Sequence, residues 1–225
     1  MSELDYTIAP EVRKGDGFYE EIVHWSSQHF LHDFLEIGSS SGMGSTQAFI
    51  EGMSDRDHTH LYCLEVSKKR FQELTKNCKR AQGIHCVNMS SIGIEDFPSI
   101  KEIVDFYHKH ETCLNRFPVE VVLKWIYQDI EYIESNRIDC YGIRNIKSTF
   151  GIREFDIVLI DGSEFTGKAE MKWLYGSKVI FLDDINAYKN YENYYHLLKD
   201  EDYKLVKEDL RLRNGYAVFV RKDCL

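Results

Sequence analysis

The chain has 225 residues, of which 43% are hydrophobic and 29% charged, and its formal net charge is -9. That size suits one α/β domain with room for a subdomain. The acidic balance argues against a protein that wraps a nucleic-acid backbone, so no nucleic-acid partner is expected. No apolar run approaches the roughly 18 residues of a membrane span. The polar start, MSELDYTIAPEVRKGD, lacks the basic end and apolar core of a signal peptide. Six scattered cysteines (Cys63, Cys78, Cys86, Cys113, Cys140, Cys224) form no CxxC pair, which disfavours a thiolate zinc site. Reduced thiols in a cytoplasmic protein are the simplest expectation, with Cys63 and Cys86 as buried filler in strands.

In chain order, GFYEEIVHWSSQH at 17–29 predicts a helix, with Tyr19, Ile22, Val23 and Trp25 on its apolar side. DFLEIG at 33–38 is a first strand, and a helix runs from Met43 to Met53 after a turn. HLYCLEV at 60–66 is a second strand. Ser67 can cap the following helix, KKRFQELTKNCKRA. IHCVNM at 84–89 is a third, short strand. FDIVLIDG at 155–162 and KVIFLDD at 178–184 are continuous apolar runs, the pattern of strands buried on both faces. A short helix lies between them, and AYKNYENYYHLLK follows as another. YKLVKEDL and GYAVFVRK close the chain as two strands joined through RLRNG, where Asn214-Gly215 signals a hairpin. The stretch Ser99–Ile152 far exceeds the dozen or so residues that a helical crossover needs. Its VVLKWIYQDIEYIES carries Val122, Ile126, Ile130 and Ile133 at helical spacing, so 99–152 reads as a helical insertion. The alternation predicts a doubly wound, mostly parallel sheet between helix layers, with ligands outside the carboxyl ends of the strands.

The turn after the first strand, EIGSSSGMGST, places Gly38, Gly42 and Gly44 where a ligand can touch backbone at a helix N-terminus. It lacks the Gly-Lys-Ser/Thr of a phosphate loop, and Gln47 stands where the last glycine of a dinucleotide loop belongs. Glu36 before the turn would repel an anion and favour a cationic ligand. Glu65, at the end of the second strand, sits where an acid can hold both hydroxyls of a ribose. A ribose joined to an amino group and a sulfonium describes S-adenosylmethionine.

On these residues the chain resembles the class I S-adenosylmethionine-dependent methyltransferases over nearly its whole length. EIGSSSGMGST is similar to their first motif, with Ser40 in place of the middle glycine, a departure familiar among the metal-dependent O-methyltransferases. NMSS at 88–91 is similar to the segment that flanks adenine. The resemblance implies a three-layer α/β fold with a seven-stranded sheet of order 3-2-1-4-5-7-6 and an antiparallel seventh strand. It implies one methyltransferase domain over 1–225, with an N-terminal helical cap at 1–30. The implied cofactor site comprises Glu36, Gly38, Ser39, Ser40, Gly42, Ser45, Glu65, Val66, Ser90, Ser91 and Asp161.

Asp161 ends one strand, and Asp183 and Asp184 end the next. Adjacent strands lie about 4.8 Å apart, so the three carboxylates can converge, and convergence calls for a positive charge between them. Oxygen-only ligands suit Mg²⁺, Mn²⁺ or Ca²⁺. The arrangement resembles the metal site of catechol-type and sugar O-methyltransferases, which implies Asp161, Asp183 and Asp184 as ligands of a divalent cation, Mg²⁺ by expectation. Glu164 stands where the catechol-type enzymes carry a lysine base, so Glu164 and Asp161 are the catalytic candidates. Lys68, Lys69 and Arg70 read as a solvated helix face, His196 as a helix residue of no special role, and Tyr188, Tyr191, Tyr194 and Tyr195 as packing. The expected activity is metal-assisted O-methylation of a small polyol such as a sugar or nucleotide-sugar hydroxyl. A metal-free methyltransferase and a non-catalytic adenosyl-ligand module stay open as alternatives, as does homo-oligomerisation.

Overall fold

A computed structural model describes residues 9–225; the expected cap residues 1–8 lie outside the described residues. Strands β1 (Asp33–Ile37), β2 (His60–Leu64), β3 (Ile84–Val87), β4 (Ile157–Ile160), β5 (Val179–Asp183), β6 (Tyr203–Asp209) and β7 (Tyr216–Arg221) form one sheet. Its order is β3-β2-β1-β4-β5-β7-β6. Strands β1 to β5 pair in parallel, and β7 runs antiparallel to both β5 and β6. This is the expected topology. The switch point, where successive connections leave β1 in opposite directions, brings the carboxyl ends of β1, β2 and β4 together.

Two helix layers explain the uninterrupted apolar runs of β4 and β5, in which every residue is buried. Helices α1 (Gly17–Ser26), α2 (Ser45–Met53) and α3 (Lys68–Cys78) cover one face, where Phe18, Ile22, Phe49 and Leu74 meet Phe34, Leu159 and Phe181. Helices α6 (Gly142–Phe150), α7 (Gly167–Leu174) and α8 (Tyr188–Leu197) cover the other, with Ile143, Ile146, Leu174 and Leu197 against Leu35, Val158 and Ile180. The helix expected within the N-terminal cap therefore belongs to a sheet-covering layer. Asp16 starts α1 by accepting the Tyr19 amide at 2.8 Å, and the Phe18 ring lies 5.8 Å from that of Phe181.

The stretch 99–152 divides into two parts. Helix α6 is the ordinary crossover into β4, since Ile143 and Ile146 join the core of the sheet. The addition proper is α4 (Ile100–Lys109) and α5 (Val119–Ser135). Ser99 and Glu102 form a reciprocal capping box that starts α4. These two helices and the segment between them build a satellite core of Ile103, Phe106, Leu114, Val122 and Ile126, closed by Phe165 from the loop after β4 and by Tyr188 at the start of α8. That contact fixes α5 over the carboxyl edge of the sheet. Among the described residues, no helix is long and apolar enough to cross a membrane.

Candidate active site

The turn after β1 is shaped by its own packing. Gly38 adopts φ +86°, and a Cβ there would lie 2.0 Å from the Asp161 carbonyl oxygen. Its amide and that of Ser39 both bond the Leu64 carbonyl, at 2.9 and 3.1 Å. A glycine expected from sequence at a ligand's approach is here already demanded by the tight meeting of β1 with the end of β4. Gly42, also at positive φ, leaves room for Leu74, whose Cδ1 would lie 2.7 Å from a Cβ. Glu36 is fully buried beneath the turn, and Thr46 Oγ1 donates to its Oε2 at 2.7 Å. Its Oε1 has no partner, and burial raises its pKa against the pull of nearby hydroxyls. Neither Glu36 nor Gly42 lines the two cavities described next.

The first cavity, of about 710 Å³, opens at the ends of β1, β2 and β4. It is lined by Gly38, Glu65, Val66, Ser90, Ser91 and Asp161, which the sequence analysis names among the cofactor-site candidates. Glu65 is buried, and its carboxylate is oriented from both sides. The Ser40 amide donates to Oε2 and the Ser67 amide to Oε1, each at 2.7 Å. Burial raises the Glu65 pKa, while these amides and the nearby Arg70 oppose the rise. Asn88 Nδ2 clamps the strand end by donating to the Glu65 and Val66 carbonyls at 2.7 and 3.0 Å. The far wall comes from the added helix α5, through Asp129 and Ile133. Ser163 Oγ donates to Asp129 at 2.5 Å, and burial lifts the Asp129 carboxyl to about 6.

A second cavity, of about 750 Å³, adjoins the first and shares Gly38, Arg70, Asp161 and Gly162 with it. Ser39, Ser40, Ser41 and Ser45 from the turn line it, with Asp184, Lys189 and the chain segment Ala9–Val12. Helix α5 of the insertion walls the first cavity, and residues 9–12 wall the second.

Asp161, Asp183 and Asp184 do converge: one oxygen from each lies within 4.8 Å of the others. A protein cation already sits among them. Lys189 Nζ is 2.8 Å from Asp161 Oδ1 and 2.7 Å from Asp184 Oδ2. The hairpin before β7 supplies further partners. Arg213 Nη2 is 3.3 Å from Asp183 Oδ1, and Asn214 Nδ2 donates to Asp184 Oδ1 at 3.0 Å. Burial opposes the charge on Asp184, yet Lys189 and Asn214 pull its pKa below the ordinary value. Burial dominates at Asp161 and raises its pKa despite Lys189. For Lys189 itself, burial is outweighed by Asp161, Asp184, Asp183 and Glu164, so it stays charged.

Glu164 lines neither cavity; its Oε1 accepts the Lys189 amide at 3.3 Å, and burial pushes its carboxyl up to about 7. Three residues of the site went unread in the sequence. Asp129 lay in a segment without motif. Lys189 and Arg213 lay in a helix and a turn read only for their shape. Arg70 is a correction: Lys68 and Lys69 are exposed, but Arg70 is half-buried and lines both cavities. The only available signal was its place in the first turn of the helix after Glu65.

No protein-family model and no curated protein matches the sequence. The likeness is one of structure. An O-methyltransferase from Bacillus cereus in complex with S-adenosylhomocysteine superposes with a TM-score of 0.56 at 14% identity, covering 96% of this chain and 84% of that one. The cofactor-bound Rv0187 from MTB gives 0.57 at 13% identity, covering 97% and 86%. An S-adenosylhomocysteine-bound Podospora anserina methyltransferase gives 0.50 at 14% identity, covering 91% and 78%. The chain therefore has the class I methyltransferase fold over its described length.

Proposed function

We propose that the chain is an S-adenosylmethionine-dependent methyltransferase that modifies a hydroxyl of a small, polar acceptor of sugar or polyol type. The observation that carries this reading is the pair of adjoining cavities at the switch point. One offers the oriented Glu65 carboxylate beneath an apolar and hydroxyl-lined pocket; the other is ringed by serines and the Asp-Lys cluster. The solved neighbours that hold cofactor or S-adenosylhomocysteine share the fold that makes these cavities.

Glu65 would hold the ribose, Ser90, Ser91 and Asp129 would frame the adenine, and the turn from Gly38 to Ser41 would hold the methionine part. Bound there, the cofactor supplies an electrophilic methyl group on a sulfonium. Asp161, which lines both cavities, is the chain's carboxylate best placed to take a hydroxyl proton. Glu164 serves instead by fixing the start of α8 through the Lys189 amide. Ser39, Ser40, Ser41 and Ser45 give a hydroxylated acceptor hydrogen-bonding partners.

The metal-assisted route is a second reading, favoured by the convergence of the three carboxylates. Their oxygens suit Mg²⁺. With Lys189 between two of them, however, the residues as arranged do not fit an ion. Calorimetry with S-adenosylhomocysteine, followed by methyl-transfer assays over a panel of polyols, tests the proposal. Absence of binding by the folded protein sinks it; binding without turnover on any acceptor favours a non-catalytic module.

A further inference from the structure

We infer that Lys189 is the resident cation of the acceptor cavity, a protein ammonium standing where the aspartate triad would otherwise take a divalent ion. Its use in turnover rests on the methyltransferase reading above; its place among the carboxylates does not. Four carboxylate oxygens of the triad are already engaged by side chains: Asp161 Oδ1 and Asp184 Oδ2 by Lys189, Asp183 Oδ1 by Arg213, and Asp184 Oδ1 by Asn214. Two fixed cations thus face three carboxylates, and the repulsion that calls for a metal is largely relieved from within.

Lys189 is not a surface side chain that has wandered in. It is 5% exposed. Its backbone is held on both sides: Glu164 accepts its amide, and its carbonyl packs so closely on α7 that a Cβ at Gly167 would lie 2.1 Å from it. The side chain enters the triad from a fixed point. An ion bound to the same two oxygens at about 2.0–2.6 Å would lie against the ammonium, with little solvent to screen the repulsion. For the ion to enter, Lys189 would have to abandon both partners.

The substitution changes the chemistry offered to the acceptor. An ammonium has three donors, and two meet Asp161 and Asp184. The third remains for one acceptor oxygen on the wall of the cavity that Lys189 lines. Lys189 acts by donating that hydrogen bond and keeps its protons throughout. A divalent ion can grip two neighbouring oxygens at once, whereas this arrangement addresses one. A site so built has no need of a vicinal diol.

The test is direct titration with Mn²⁺, followed by the paramagnetic resonance signal of the free ion, with and without S-adenosylhomocysteine. The wild-type chain should leave an equimolar amount of Mn²⁺ free. Lys189→Met should open the triad and bind one Mn²⁺, and the double variant with Asp184→Asn should lose it again. Methyl transfer by the wild type should survive exhaustive chelation unchanged. Stoichiometric binding of Mn²⁺ by the wild type, abolished by Asp184→Asn alone, would overturn the inference, and this comparison decides even if Lys189→Met does not fold. Calorimetry with S-adenosylhomocysteine in the same samples keeps the two readings apart. Lack of that binding counts against the methyltransferase reading, and Mn²⁺ uptake by the wild type counts against Lys189.

Discussion

Replacing Glu65 by alanine should weaken S-adenosylhomocysteine without unfolding the domain. The carboxylate lies on the wall of the first cavity and is aimed by two amides, Ser40 and Ser67, each at 2.7 Å. Its rotamer is thus set before any ligand arrives, and a ligand hydroxyl meets an acceptor already in place. A hydrogen bond to a charged group contributes roughly 1.5–3 kcal/mol. At 1.4 kcal/mol per decade, its loss should weaken binding about tenfold to a hundredfold or slightly more. Alanine also orphans the two amides and so loosens the turn that holds Ser40, which places the effect toward the upper end. Glutamine is not a neutral control, because its NH₂ group would face one of those amide donors. Isothermal titration calorimetry measures the affinity, and a thermal melt of the ligand-free variant checks the fold. An unchanged dissociation constant in a folded Glu65→Ala protein would refute the assignment of this cavity to the ribose.

Gly38→Ala should lower the melting temperature even without ligand, because its Cβ would meet the Asp161 carbonyl at 2.0 Å in a left-handed backbone; strain of this kind costs of order 1–3 kcal/mol. An unshifted melt would show that the turn yields freely. Asp129 has a folded pKa of about 6 against an ordinary 3.8, raised by burial. The folded chain therefore binds the extra proton, so this stabilisation is full below pH about 3.8 and is lost as pH rises through about 6, by at most roughly 3 kcal/mol. Urea unfolding across that window should show the decline in the wild type and a shallower one in Asp129→Asn. Asp184→Asn should cut turnover at least about tenfold while leaving S-adenosylhomocysteine affinity within about threefold, since the side chain lines only the second cavity. Equal losses in both would move Asp184 to the cofactor side.

The buried strands and the residues that end them were legible because their signals are local, whereas the order of the strands came from the resemblance to class I methyltransferases. A strand buried on both faces announces itself as an unbroken apolar run, as IVLI and VIFLD do. Glu65, Ser90 and Ser91 follow such runs directly, so topology alone sends them to one edge. Position within a motif is a poorer guide to contact. Gly38 and Glu36 belong to the turn, yet the first is demanded by the Asp161 carbonyl and the second lies buried against Thr46. Residues on helices were harder still. Whether Arg70 or Lys69 faces the site depends on the rotation of α3, which a capping serine starts but does not reveal from sequence. Asp129 reaches the cavity only because Phe165 and Tyr188 seat the added helices there, a contact between distant segments.

The aspartate triad shows most clearly where inference from one residue class stops. Three acids at adjacent strand ends implied a positive charge between them, and that electrostatic deduction was sound. It left open whether the charge comes from solution or from the chain. Lys189 lies beyond Asp184 on a helix dense in tyrosine and asparagine, and Arg213 on a turn read for its Asn-Gly step. Their charges enter the triad only through tertiary packing. A net charge of -9 for the whole chain says nothing of this balance, because it is struck among a few side chains within hydrogen-bonding distance. A reading of such a site from sequence must therefore search for internal cations as carefully as for ligands. One lysine able to reach the carboxylates suffices to change the expected chemistry from coordination to hydrogen bonding.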